Sequence, residues 1–173
     1  MNKVNQQERH SDKRKYLYHY FAGFVEGEGC FSVSIKPHKQ MKFGWVVDPM
    51  FSIYQHKKNR NILEIFQREL HCGYIVEKQG KPGVLVLVVD NRRTLEEKII
   101  PFFDKYQFLG TKRQDFLLFS QIVRMMKEKR HLEKSGLIEI VNLAFQMNQQ
   151  GKGRKYSAPE IISSLNESSE TTR

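Results

Sequence analysis

Between Tyr16 and Lys36 the hydrophobic spacing changes period across a single Gly27-Glu28-Gly29 step. Leu17, Tyr20, Phe21, Phe24 and Val25 recur three and four residues apart, which is one face of a helix, and the Gly-Glu-Gly stops it at about Glu28. Phe31, Val33 and Ile35 then alternate with Ser32, Ser34 and Lys36, the pattern of a strand with one dry and one polar face, ended by Pro37. A chain that does this is committed to mixed helix and sheet.

The same alternation returns after the polar turn 38–42, with Phe51 and Ile53 on one face and Met50, Ser52, Tyr54 and His56 on the other, completing an antiparallel hairpin. Residues 59–70 place Ile62, Leu63, Ile65, Phe66 and Leu70 at helical spacing, so a helix packs back on the hairpin. Residues 73–78 and 83–90, separated by Gln79-Gly80-Lys81-Pro82, predict a second hairpin. A short helix over 92–100 ends at Pro101. A longer one, capped by Thr111, runs through Phe116, Phe119, Ile122 and Met126, and another spans 132–147. Three regions follow: a flexible basic arm over 1–15, one domain over 16–150, and a basic, Ser-rich tail over 151–173 with a short helix at 159–165.

Charge narrows the partner. Lys and Arg total 29 against 19 Asp and Glu, a net charge of +10 that attracts polyanions, and nucleic acid is the first expectation. An anionic membrane surface is the charge-based runner-up, but the longest aliphatic run, Val84 to Val89, is far short of the roughly 20 residues that span a bilayer. The N-terminal residues lack the apolar core of a secretory signal, so nothing predicts export. Cys30 and Cys72 have no zinc-motif spacing and read as buried thiols. The histidines at 10, 19, 38, 56, 71 and 131 are scattered, which disfavours a His-metal nuclease. No phosphate-binding glycine loop or nucleophile elbow is present.

The chemistry concentrates in Phe21-Ala22-Gly23-Phe24-Val25-Glu26-Gly27-Glu28-Gly29. Each helical glycine costs about 1 kcal/mol relative to alanine, so Gly23 and Gly27, four apart, call for an offsetting gain. With Ala22 they make a strip poor in side chains on which a second helix can approach closely. Glu26 and Glu28 lie at the negative end of the helix dipole, an unfavourable place for a carboxylate by up to about 1 kcal/mol unless a cation joins it. An ordinary solvated Glu before a glycine cap is the plain alternative.

These nine residues resemble the signature of the LAGLIDADG homing endonucleases, with Phe21 for the first Leu, Phe24-Val25 for the middle pair and Glu for each acid. The order helix, hairpin, helix, hairpin, helices from about Tyr16 to Met147 resembles that family's αββαββα fold, so the resemblance implies an α+β chain with a concave four-stranded antiparallel sheet and added C-terminal helices. One motif per chain implies a homodimer with Ala22, Gly23 and Gly27 at the interface. It also implies a divalent metal held by Glu28 and the Gly27 carbonyl, Glu26 being structural, with Mg²⁺ suited to such oxygens, Mn²⁺ substituting, and Ca²⁺ binding without cleavage. Gln55 is carried over as the polar residue of the water network, and Lys112 as the cation near the scissile phosphate, a place Arg113 could take instead.

The implied activity is a double-strand break in a long pseudo-palindromic double-stranded DNA target with 3′ overhangs. The sheet would read the major groove through its polar face. The candidates there are Ser32, Ser34, Lys36, His38, Lys39, Lys42, Ser52, Tyr54, His56, Tyr74 and Lys78, with Arg113 as a further DNA contact. The alternative is a non-catalytic intron-RNA maturase or DNA-binding regulator on the same fold. A general RNA-binding module is disfavoured because no aromatic stacking signature is visible. Relatives with one motif are commonly encoded in chloroplast or mitochondrial introns, so the resemblance implies an organellar location and otherwise an intracellular one.

Overall fold

The computed structural model describes residues 3–150 and 154–167; the remaining parts of the expected arm and tail lie outside the described residues. Helix α1 (Lys3–Glu28) passes directly into strand β1 (Gly29–Pro37), which turns back into β2 (Trp45–His56). Gly29 is the joint. A Cβ there would lie 2.8 Å from the Val25 carbonyl oxygen and would also collide with the Val25 side chain, so only glycine lets the helix become a strand without a loop. The helix begins far earlier than the apolar spacing predicts, taking in most of the stretch expected as an arm, because the sequence before Tyr16 is polar and carries no helical apolar spacing to read.

After α2 (Arg60–Leu70), β3 (Tyr74–Glu77) and β4 (Val84–Val89) complete a four-stranded antiparallel sheet in the order β1-β2-β4-β3. The fold is α+β. The register sorts the side chains: Phe31, Val33 and Ile35 of β1, Phe51 and Ile53 of β2, and Leu85, Leu87 and Val89 of β4 lie in one core cluster with Leu63 and Phe66 of α2. Aromatic rings fill its centre, with Phe21 stacked on Phe66 at 3.8 Å and Phe31 in contact with Phe51, Phe103, Phe108, Phe116 and Phe119. Each such pair adds roughly 0.5 to 1.5 kcal/mol beyond simple burial.

The helix predicted to stop at Pro101 continues past it. Residues 92–105 run as α3 (Arg92–Thr94), a π turn (Leu95–Ile99) and α4 (Ile100–Lys105), and Pro101 falls in the first turn of α4, where its missing amide costs little. Helices α5 (Lys112–Lys127) and α6 (Lys134–Gln150) pack on each other, and Thr111 precedes α5 without a side-chain cap bond. The tail region holds α7 (Ala158–Glu167), whose Ile161 and Leu165 are buried in the same core, so this stretch is built into the domain.

β1 is a sheet edge, and its outward carbonyls have side-chain partners. Asn148 donates to the Phe31 carbonyl at 2.7 Å, and Arg154 donates to those of Val33 and Ala144, each at 2.7 Å. The Arg154 guanidinium lies over Phe145 and is half-buried, and burial lowers its pKa from the usual arginine value. An edge closed in this way is not open to a further strand. Among the described residues no helix is long and apolar enough to cross a membrane.

Candidate functional site

Glu28 is the last residue of α1 and is exposed, beside the junction where β1 begins. The two acids of the signature are used differently. Glu26 turns back to the segment before α5, its carboxylate accepting the amides of Leu109 at 3.0 Å and Gly110 at 2.8 Å. That clamp sets the start of α5, from which the Lys112 ammonium donates to the Gly29 carbonyl oxygen at 2.5 Å, one residue beyond Glu28. Lys112 and Glu28 therefore share one corner, although 83 residues of sequence lie between them.

Arg113 is on a different side: it is exposed and lines a small groove with Asp104, Gln107 and Leu117. The basic residue whose ammonium reaches the corner is Lys112, while Arg113 stands exposed on this other side of α5. Gln55 lies at the end of β2 with the parity of Ile53, on the core side of the sheet, and its side-chain carbonyl accepts from the His56 amide at 2.8 Å and from Asn59 at 3.2 Å.

Gly23 and Gly27 are exposed, and a Cβ on either would meet nothing within 4 Å. Nothing inside the described chain requires glycine there. Ala22 differs, being only 5% exposed and buried within its own subunit, so it does not belong to the strip. One residue before Gly23, it is rotated about 100° around the helix onto the buried side with Phe21 and Val25. The outward face of α1 continues from the glycines to Tyr20 and Tyr16, both well exposed.

The polar sheet face is assembled as the alternation predicts, except at its middle. Ser32, Ser34 and Lys36 of β1 are opposite Met50, Asp48 and Val46 of β2, and Tyr54 and His56 continue toward Val86 and Val84 of β4. Ser52 is 0% exposed, with no hydrogen-bond partner for its hydroxyl among the described residues; it stands in register between Cys30 and Val88 and cannot reach a base edge. The small side chain sits below its larger neighbours. Lys36 pairs with Asp48 at 3.0 Å, Lys78 lies 4.3 Å from the Tyr54 ring centre just beyond β3, and the Tyr74 hydroxyl donates to Asp90 at 2.7 Å, a bond that raises the tyrosine pKa. His38, Lys39 and Lys42 are exposed in the turn joining β1 to β2.

Sequence patterning missed the residues supplied from the far end of the chain. Arg154, Lys155 and Tyr156 border a trough of about 670 Å³ along the β1 edge beside Ser34 and Lys36. The signal available was the basic stretch from Lys152 to Lys155, which composition leaves open between a solvated tail and a DNA-contacting one. Burial raises the Cys30 thiol pKa above its ordinary value, with nearby Lys112 opposing, so this cysteine is a poor nucleophile.

Glu28 and the terminal carbonyls of α1 are hard oxygen donors, the kind that suits Mg²⁺. Among the described residues no group of three or more His, Cys, Asp or Glu comes together. The described chain thus offers oxygen donors of the right kind but too few of them to hold such an ion alone.

A single glycine-striped helix, ending in an exposed carboxylate at the root of an antiparallel sheet with a polar outer face, defines an α+β chain with one such motif. Residues 21–123, more than half of the chain, match the LAGLIDADG endonuclease family, and the chain belongs to that family. It superposes on the archaeal intron-encoded homing endonuclease I-Vdi141I, solved in complex with DNA, with a TM-score of 0.84 and 37% identity over 91% of this chain and 99% of that one. For the homing endonuclease I-TnaI the TM-score is 0.73, with 32% identity over 90% and 97%. In sequence it is 42% identical over 87 residues to DNA endonuclease I-CeuI of Chlamydomonas moewusii, covering 50% of this chain and 40% of that protein. It is 29% identical over 147 residues to homing endonuclease I-ApeII of Aeropyrum pernix, covering 83% and 86%. The chain spans well under half of some curated relatives, 40% of I-CeuI and 32% of a probable intron-encoded endonuclease of Neurospora crassa.

Proposed function

We propose that this chain is a site-specific homing endonuclease, acting as a homodimer that makes a metal-dependent double-strand break in pseudo-palindromic double-stranded DNA. The observation that carries the reading is the corner itself: an exposed Glu28 carboxylate at the end of a helix whose outward glycines face open space, with Lys112 fixed beside it. Packing two copies of α1 on Gly23 and Gly27 about a two-fold axis would bring both Glu28 side chains together, one for each DNA strand. A one-motif chain reading DNA as a dimer fits a target with two-fold symmetry.

Glu28 and the Gly27 carbonyl would hold the divalent ion, expected to be Mg²⁺ or Mn²⁺, with Ca²⁺ binding but not supporting cleavage. When bound, that ion supplies Lewis acidity, polarising the scissile phosphate and easing deprotonation of the attacking water. Lys112, by leaving the Gly29 carbonyl for a phosphate oxygen, neutralises charge as it develops. Gln55 keeps its carbonyl tied to His56 and Asn59, which leaves its amide nitrogen to orient water. The products would be 5′ phosphate and 3′ hydroxyl ends with short 3′ overhangs. Ser32, Ser34, Lys36, Tyr54, His56, Tyr74 and Lys78 form the reading face, and His38, Lys39 and Lys42 extend it at the turn. The intron-encoded relatives support an organellar intron as the source.

The test is cleavage of a randomised duplex library in Mg²⁺, beside Ca²⁺ and Glu28→Gln. Cut sites with two-fold symmetry and 3′ overhangs, absent with the variant, are the expected result. Specific binding of DNA or intron RNA without cutting would make Glu28 structural and the protein a non-catalytic binder.

A further inference from the structure

The polar face has an apolar centre. Register places Val76 of β3 beside Val86 of β4 and then Tyr54 of β2, while Tyr74, Val88, Ser52 and Cys30 form the adjoining row. Val84, Val86 and Val88 are outside the core cluster that holds Leu85, Leu87 and Val89, so β4 turns a line of valines toward the face otherwise made of Ser, Tyr, His and Lys. Val86 and Val88 are nearly covered by their neighbours, but Val76 is 42% exposed on the edge strand. A lone exposed valine needs no explanation; one that carries the valine line of β4 out to the rim of a basic, polar surface does. Its surroundings are hydrogen-bonding groups: Lys78 over the Tyr54 ring on one side, and the Tyr74 hydroxyl bonded to Asp90 on the other.

In the major groove the base edges are donors and acceptors with a single apolar exception, the C5-methyl group of thymine. We infer that Val76 selects a pyrimidine bearing a 5-methyl group at one position of each half-site. This rests on the reading of the sheet face as the DNA-reading surface. Lys78 and Tyr74 on either side would bond the neighbouring base edges, which fixes where along the groove the methyl must fall. Cytosine and uracil, lacking the methyl, leave Val76 against water, whereas 5-methylcytosine restores the contact.

The target recovered from the randomised library is resynthesised with deoxyuridine for one thymidine at a time, and binding is measured in EDTA so that the duplex stays whole. At one symmetry-related pair of positions, removing a methyl should weaken binding about fourfold, the loss expected for one buried methyl-sized group. Val76→Ala should bind the thymine and uracil duplexes equally there and leave other positions unchanged. At the same pair, 5-methylcytosine should bind better than cytosine to the wild type only. The inference is overturned if no thymine is methyl-sensitive, or if the sensitivity survives in Val76→Ala. A library that yields no preferred sequence, bound or cut, overturns the endonuclease reading and this inference with it.

Discussion

The carboxylate of Glu26 accepts the Gly110 amide at 2.8 Å, and a Cβ added at position 110 would lie 2.7 Å from that same oxygen. Two acids separated by one glycine therefore hold different offices. Glu26 ties α1 to the loop that launches α5, and Glu28 is left for a ligand.

Substitution separates them. Glu26→Gln replaces charge-assisted acceptors with a neutral amide and should lower stability by about 1 to 3 kcal/mol, read from the urea midpoint. Gly110→Ala should destabilise through the same contact. Glu28→Gln should stay within about 0.5 kcal/mol of the wild type while abolishing cleavage. Loss of stability in Glu28→Gln comparable to Glu26→Gln would show that the two acids share one structural role.

The glycine strip gives an opposite pairing of stability and assembly. Because a Cβ at Gly23 meets nothing inside the subunit, Gly23→Ala should raise helix stability by about 0.5 to 1 kcal/mol. Gly23→Leu should also fold, with an unchanged circular dichroism spectrum, yet sediment as a monomer. A Gly23→Leu protein that still sediments as a dimer would place the subunit contact elsewhere.

Much of this was legible in the sequence because the determinants are local. The helix-to-strand change at Gly29, both hairpins and the special character of residues 21–29 follow from period and from glycine placement. The failures have a common cause, in that each depends on what is packed alongside. Ala22 and Ser52 lie in stretches whose pattern suggests exposure, yet neighbouring side chains close over them. Arg113 and Lys112 are adjacent in sequence and face different ways around α5. The role of Arg154 is set by an edge strand 121 residues away, which no local pattern can reveal.

That split between Lys112 and Arg113 is itself measurable. Lys112→Met should lower kcat for cleavage by roughly 10²-fold or more, as expected when a donor to developing charge is removed, with little change in DNA affinity. Arg113→Met should leave kcat near the wild-type value. Equal losses in both would mean that the two act only as phosphate contacts.

His131 provides a pH signature away from the site. Burial, and then the nearby Arg92, lower its pKa below the usual histidine value, and its Nδ1 is buried without a partner among the described residues. A histidine whose folded pKa is depressed favours the neutral form. Its contribution is present above the unfolded pKa of about 6.5 and is lost as pH falls through the lower folded value. Thermal stability should therefore decline as pH drops from about 7 toward 5, and His131→Gln should flatten that decline. An unchanged slope in the variant would assign the acid sensitivity to other groups.

Helix α7 can be followed through Trp45, the one tryptophan of the chain, whose indole donates to Ser164 at 2.9 Å and whose ring meets Tyr156 edge-on at 5.2 Å. Leu165, on the inner face of α7 itself, is fully buried, so Leu165→Ala should cost about 2 to 5 kcal/mol and shift tryptophan emission to the red as α7 loosens. Because Arg154, just ahead of α7, donates to the β1 carbonyl of Val33, the variant should also bind DNA less tightly through Ser32, Ser34 and Lys36, with phosphate-dependent salt sensitivity retained. Trp45→Phe, which keeps the packing but loses the donor, should show the smaller stability loss of a single hydrogen bond, about 1 kcal/mol. A Leu165→Ala protein with wild-type emission and wild-type affinity would mean that α7 is an appendage and that β1 holds its geometry without it.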